Sequence, residues 1–341
     1  MKIDIICNDG SPLGVVWDDI YGNNGRLGVG GAELALLTMC EAWAGAGHRV
    51  RLYNDPKGRE LKHFEQYPVS AFSPSDKRDI LIIFRSPNKR IAGAKGKKIW
   101  WSTDQFTVGN FQDFSTKVDE IVTISPFHAH YFRANYGIQN TRTIDLPVRM
   151  GDYTGQVTKV ENRLIYCSVP DRGLAILAKV YPKIVKQVPN VSLVITSDYR
   201  LWGAQSAMNE NHMTKFIGMP GVEFLGAVPR ARMVEEQEKA QIQAYPCTYD
   251  ELFAIANAEC QVAGAYPITP PTGALASTNM GDLLDGTPTS EEWQKRFVHQ
   301  VVERLSKPEE LRQAQQALQI KARERLSLGT ILPQWDKVFN G

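Results

Sequence analysis

The sequence predicts an α/β protein of two Rossmann-like domains facing each other across a cleft, and three observations predict it. At 341 residues the chain is longer than one α/β core requires, so two domains of roughly 150 residues are the natural division. Short apolar runs alternate with helical patterns, which gives a mostly parallel sheet with helices on both faces. The alternation pauses at a polar, glycine-containing stretch from Gly151 to Asn162 and then restarts. The expected division is 1–155, then 156–320, then a helical tail over 321–341 able to pack back on the first domain.

In the first half, strands are expected at Ile3–Cys7, Arg49–Tyr53, Asp79–Phe84, Lys98–Trp101 and Glu120–Ile124. A helix from about Ala32 to Ala46 carries Leu36, Met39, Cys40 and Trp43 at the spacing of one buried face, and Gly45 and Gly47 end it. In the second half the expected order is strand Arg163–Ser168, helix Leu174–Gln187, strands Val191–Thr196 and Val222–Leu225, and helix Arg230–Lys239. Strand Gln241–Tyr245, a helix to about Gly264 and strand Tyr266–Thr269 follow, and one or two amphipathic helices run from Ser290 to about Leu328.

Composition removes several function classes. Hydrophobic residues at 43% and charged residues at 22% exclude a disordered chain, and a net charge of +2 supplies no strong field for a polyanion. The start, Met1-Lys2-Ile3-Asp4-Ile5-Ile6-Cys7, reads as a strand rather than a signal peptide, and no apolar run approaches the ~18 residues of a membrane span. Five widely spaced cysteines in apolar segments suit buried free thiols in a reducing compartment, so a cytoplasmic location without stable membrane insertion is expected.

The richest segment runs from Tyr245 to Gly264. A strand ends near Tyr245, a turn follows, and a helix is expected to open close to Glu251, with Leu252, Ile255, Ala256 and Ala263 on its apolar face. Helix N-termini leave amides free and carry partial positive charge, so this one suits a phosphate. Glu251 would lie at its mouth and Glu259 two turns further in, both able to accept sugar or ribose hydroxyls; acids near a helix start also simply complement its dipole. Gly28-Val29-Gly30-Gly31-Ala32-Glu33 opens the first helix, where glycines permit close backbone approach. As a dinucleotide fingerprint it is poor, because Glu33 stands where a third glycine belongs. Ser168-Val169-Pro170-Asp171-Arg172-Gly173-Leu174 ends one strand and opens a helix, and its Arg172 is able to grip phosphate oxygens bidentately.

Together these segments resemble the retaining GT-B glycosyltransferases of family 4. Glu251, seven residues and Glu259, with Phe253 between and Ala263-Gly264 after, is similar to that family's signature, and Gly30-Gly31 to its N-domain glycine loop. The resemblance implies a GT-B fold and transfer of a sugar from a nucleotide-diphosphate sugar to a hydroxyl, with retention of configuration. It implies that Glu251 contacts the donor sugar, that Glu259 contacts the ribose, and that Gly30 and Gly31 face the donor. Backbone amides around Phe253, Ala254 and Ile255 would hold the phosphates, with Arg172 in place of the usual lysine and Ala254 in place of the usual glycine.

Lys98-Ile99-Trp100-Trp101-Ser102-Thr103-Asp104-Gln105 occupies the strand end where many relatives carry a histidine, so the resemblance gives Asp104 or Thr103 to the transferred sugar and acceptor. His128 and His130 read as helix-surface residues. No Cys/His cluster has metal spacing and no Asp-x-Asp motif is present, so no metal and no cofactor are expected. The basic run Lys89, Arg90, Lys95, Lys97 and Lys98 reads as a solvated loop, and Thr272–Asn279 as a small-residue loop at the cleft. Expected partners are a nucleotide-sugar donor and an unspecified hydroxyl acceptor: a glycan, a lipid-linked sugar, a small molecule or a modified nucleic-acid base. The alternatives are an epimerase of the same fold, an oxidoreductase and a catalytically silent sugar-nucleotide binder.

Overall fold

A computed structural model describes residues 1–7, 15–21, 28–105, 109–202 and 207–341. The chain divides into two compact units, unit 1 built mainly on Val29–Pro147 with the first strand and Ser327–Gly341, and unit 2 on Val148–Leu326. The first division therefore falls at Pro147 rather than at residue 155. The reason is Tyr153, whose buried hydroxyl donates to Gln237 of unit 2 at 2.7 Å. The return falls at Ser327 rather than at 321, because the helix before it runs unbroken to Leu326.

Unit 1 holds strands β1 (Lys2–Ile6), β2 (Arg49–Tyr53), β3 (Glu65–Tyr67), β4 (Ile80–Phe84), β5 (Lys97–Trp101), β6 (Glu120–Thr123) and β7 (Arg142–Thr143). They form one parallel sheet in the order β3-β2-β1-β4-β5-β6-β7. Every residue of β4 is buried, as a strand covered on both faces requires. Its helices are α1 (Gly31–Gly45), α2 (Phe111–Ser115) and α3 (Pro126–Tyr136). Ser125 caps α3 by accepting from the His128 amide, proline stands in the first turn, and Gly137 ends the helix in the left-handed conformation.

Unit 2 holds α4 (Leu174–Val185), α5 (Ala207–Met213), α6 (Arg230–Lys239), α7 (Ile255–Val262), α8 (Leu275–Thr278), α9 (Glu291–Ser306) and α10 (Pro308–Leu326). Its strands are β8 (Arg163–Tyr166), β9 (Ser192–Ile195), β10 (Val222–Phe224), β11 (Ile242–Ala244), β12 (Tyr266–Thr269) and β13 (Asp282–Leu283). They repeat the arrangement of the first sheet, all parallel, in the order β10-β9-β8-β11-β12-β13.

The final helix, α11 (Leu328–Asn340), belongs to unit 1. Its Ile331, Trp335, Val338 and Phe339 share a buried face, and Trp335 meets Trp43 at 5.2 Å and Trp101 at 5.1 Å between ring centroids. The two helices α9 and α10 fill the amphipathic stretch from Ser290 to about Leu328, as expected, and α11 follows them. Among the described residues no helix is long and apolar enough to cross a membrane.

Candidate active site

In each sheet the strand order reverses beside the first strand of the unit, between β1 and β4 and between β8 and β11. Loops leaving the carboxyl ends of strands at such a reversal splay apart and open a crevice, the usual ligand position in open α/β sheets. Both unit 2 loops at that point carry residues expected from the sequence.

Gly173, which follows Arg172 after β8, has φ 113°, and a Cβ there would lie 2.0 Å from the carbonyl oxygen of Pro246 after β11. Only glycine lets the two loops pass so closely. The crossing delivers Arg172 to the second loop: its guanidinium lies 3.2 Å from the centroid of the Tyr249 ring, and Nε is 3.6 Å from Glu251 Oε1. Tyr245 donates its hydroxyl to the same Oε1 at 2.6 Å. Gly273 (φ 59°) presses against the Glu251 backbone, leaving no room for a side chain, and the Ala274 amide donates to the Glu251 carbonyl at 2.7 Å. The small-residue loop therefore supports Glu251. Burial pushes the Glu251 carboxyl pKa up, Arg172 and the Tyr245 hydroxyl pull it back, and the balance remains above the ordinary carboxylate value.

The helix after this turn begins later than expected. α7 starts at Ile255, so Asp250 and Glu251 lie in the turn ahead of it instead of at its mouth. The interruption is Ala254, whose φ of 64° and ψ of 65° are left-handed and cannot continue a right-handed helix. Asn257 and Ala258 give the first ladder bonds, both to the Ala254 carbonyl, so the amides of Ile255 and Ala256 precede the ladder. No side chain caps this end. Phe253 is buried.

The buried face of α7 also differs from the apolar one expected. Leu252, Ile255 and Ala256 are half-buried, while Asn257 and Gln261 are fully buried. Their amides are satisfied in a ladder: Asn257 donates to Gln243 at 2.9 Å, and Gln261 donates to Asn257 at 2.9 Å and to the Thr278 carbonyl at 3.0 Å. Paired amides are buried at little cost, which period counting does not register.

Glu259 lies about one turn into α7 and is 5% exposed. Oε1 accepts from Arg230 at 2.5 Å and Oε2 from Gln237 at 3.3 Å. Arg230 in turn meets Asp152 at 2.8 Å and the Tyr153 hydroxyl at 3.3 Å. The structure thus brings Arg172 to Glu251 in the turn ahead of α7, and gives Glu259 a buried counter-ion of its own.

In unit 1, Gly30 is the N-cap residue of α1 and Gly31 its first residue. A Cβ on Gly30 would lie 2.4 Å from Glu33 Oε2, so the Glu33 carboxylate folds over that glycine. Arg85, just after β4, is left-handed (φ 71°) and pairs with Glu33. Asp104 accepts from the Ser86 hydroxyl at 2.9 Å and from the Gln105 amide at 2.7 Å. The Thr103 hydroxyl is buried without a hydrogen-bond partner among the described residues.

His128, expected on a helix surface, is fully buried, while His130 is exposed. The His128 ring is drawn inward because the Ile124 amide donates to Nδ1 at 3.4 Å, which leaves Nε2 to donate to the Asp104 carbonyl at 3.1 Å. Burial, the largest influence, takes its pKa down to about 3. In the basic run, Lys89, Arg90 and Lys95 are exposed, while Lys97 donates to the Val338 carbonyl at 2.6 Å.

No protein-family model matches this sequence, and no curated protein matches it. Solved structures are similar over 99% of the chain. A glycosyltransferase from Rickettsia africae is 12% identical with a TM-score of 0.74, covering 97% of that chain. Sucrose-phosphate synthase from Thermosynechococcus elongatus is 15% identical with a TM-score of 0.72, covering 98% of that chain. HepE from Anabaena, solved with UDP and glucose, is 14% identical with a TM-score of 0.72, covering 99% of that chain. The fold is GT-B.

Of the residues that contact the expected ones, Tyr245, Arg230 and Arg85 are not singled out by the motifs, and His128 reads from the sequence as a surface residue. Tyr245 carried a signal, since a tyrosine at the end of a buried strand needs a partner for its hydroxyl. Among the described residues, no group of three or more His, Cys, Asp or Glu is placed to hold a metal ion.

Proposed function

We propose that this chain is a glycosyltransferase that moves a sugar from a nucleotide-diphosphate sugar to a hydroxyl acceptor, with retention of configuration and without a metal. The observation that carries the reading is the meeting of Arg172 with Glu251 at the strand-order reversal of unit 2, beside an uncapped helix start. A diphosphate needs fixed positive charge and aimed N–H donors, and Arg172 with the Ile255 and Ala256 amides supplies both. Breaking the anomeric bond builds negative charge on the departing phosphate, which the same groups stabilise because they are already oriented. A phosphate oxygen of the leaving group takes the acceptor's proton on the same face.

Glu251 accepts a hydroxyl of the donor sugar in this reading. Glu259 accepts ribose hydroxyls through the lone pairs that Arg230 and Gln237 leave unused, since each carboxylate oxygen has two. Gly30 and Gly31 face the donor in this reading, and Asp104 or the Thr103 hydroxyl faces the transferred sugar and acceptor. The fold supports the reading, and the solved HepE complexes with UDP-glucose offer a first donor to test.

Incubation with UDP-, GDP-, ADP- and TDP-sugars, followed by product analysis, tests it. Sugar transfer or slow donor hydrolysis is expected, with the product anomer matching the donor. Epimer formation, or binding with no turnover on any acceptor, would replace the reading. Chelation with EDTA should leave the rate unchanged.

A further inference from the structure

Glu251 is held by one oxygen only. The Tyr245 hydroxyl donates to Oε1 at 2.6 Å, and Arg172 Nε approaches that same atom at 3.6 Å. Oε2 has no hydrogen-bond partner among the described residues, and the side chain is 16% exposed. Tyr245 is itself 1% exposed, and its ring packs on that of Tyr166 with centroids 5.8 Å apart. Its hydroxyl lies 3.1 Å from Ser168 Oγ. A carboxylate only accepts, so the tyrosine proton goes to Glu251 and the serine proton to the tyrosine. The result is a directed chain from Ser168 through Tyr245 to Glu251.

We propose that Tyr245 is a positioning residue for donor-sugar recognition: it claims one oxygen of Glu251 and so presents the other, Oε2, to a single hydroxyl of the transferred sugar. The inference rests on the reading of Glu251 given above. Rotation of the carboxylate would exchange its oxygens, and the bond to a buried, ring-packed phenol prevents it. A charge-assisted hydrogen bond of this kind is among the stronger ones in a protein.

The same bond affects ionisation. The groups facing the Glu251 carboxylate are Arg172 and Asp171 from the loop after β8, Tyr166 at the end of β8, and Tyr245 and Cys247 from the end of β11 and the loop after it. Burial and Asp171 raise its pKa, while Arg172 and the Tyr245 hydroxyl lower it. Removing the hydroxyl therefore raises it, and the carboxylate form is lost at a higher pH.

Tyr245→Phe keeps the ring and deletes the donor. With the most active of UDP-, GDP-, ADP- and TDP-glucose, kcat/KM is expected to fall at least ~10-fold, the scale of a hydrogen bond to a charged group. The acidic limb of the pH profile should move to higher pH, while the Kd of the matching nucleoside diphosphate, which has no sugar, stays unchanged. An unmoved acidic limb, or an equal loss of nucleoside diphosphate affinity, overturns the proposal. If Tyr245→Phe does not fold, Ser168→Ala takes its place and should move the limb the same way by less; no movement overturns the proposal. Glu251→Gln in parallel separates the two ideas. Wild-type kcat/KM in that variant removes the role of Glu251 itself, whereas a collapse there with a normal Tyr245→Phe removes only the role of Tyr245.

Discussion

The two strand-order reversals share a topology and differ in which groups their loops bring together. In unit 1 the groups at the carboxyl ends of β4 and β5 answer one another: Arg85 pairs with Glu33, and Asp104 takes bonds from Ser86 and His128. In unit 2 the corresponding loops leave Glu251 Oε2 and the first amides of α7 without a partner among the described residues. The same sheet arrangement therefore carries a Glu33–Arg85 pair and a buried Thr103 hydroxyl in one unit, and the Arg172–Glu251 meeting ahead of α7 in the other. Fold alone does not distribute the chemistry; the loops do.

The largest expected effect breaks that contrast directly. Arg172→Ala should lower turnover at least ~100-fold, the scale of losing a preorganised charge-stabilising donor. It should also weaken nucleoside diphosphate binding by calorimetry, whereas Asp104→Asn should leave that affinity within about twofold, since a nucleoside diphosphate lacks the transferred sugar that Asp104 is proposed to face. Equal losses in the two variants would erase the distinction between the units.

A second prediction concerns unit 1 alone. His128 has a folded pKa of about 3 against the usual 6.5, so the unfolded chain binds the proton first as pH falls. The stability that comes from keeping the ring neutral is complete above pH 6.5 and declines toward pH 3, with a slope of at most ~1.4 kcal/mol per pH unit. Denaturant unfolding across that range should show a shallower decline for His128→Gln than for the wild type. Identical slopes would mean that the ring is not held neutral against the Asp104 carbonyl.

The third is the smallest. Ala254 occupies left-handed backbone, which favours glycine, while glycine gives back part of the gain through its freer unfolded chain. Ala254→Gly should stabilise the protein by about 0.5–1 kcal/mol, read as a higher Tm. A lower Tm would show that the alanine methyl contributes packing that outweighs its backbone cost.

Much of the fold was legible because buried parallel strands are apolar runs. Ile80-Leu81-Ile82-Ile83-Phe84 and Tyr266-Pro267-Ile268-Thr269 read clearly, and their order follows from helices between them. Glu65–Tyr67, Arg142–Thr143 and Asp282–Leu283 did not, being two or three residues long and polar. Of the candidate site, Arg172 and Glu251 were legible as residues but not as a contact. Nothing in the sequence announces that an alanine takes a left-handed conformation, so the two acids ahead of α7 looked like its first turn. The Arg230–Glu259 and Tyr153–Gln237 pairs join positions 29 and 84 residues apart, a distance over which local periodicity carries no information.

The central claim is that a diphosphate lodges between Arg172 and the opening of α7. The measurement that tests it most directly is a crystal structure of the complex with whichever of UDP, GDP, ADP or TDP raises Tm most. The account predicts phosphate oxygens within hydrogen-bond distance of the Arg172 guanidinium and the Ile255 and Ala256 amides. A nucleotide bound with its phosphates elsewhere, and Arg172 still stacked on Tyr249 beside Glu251 without touching them, would contradict it.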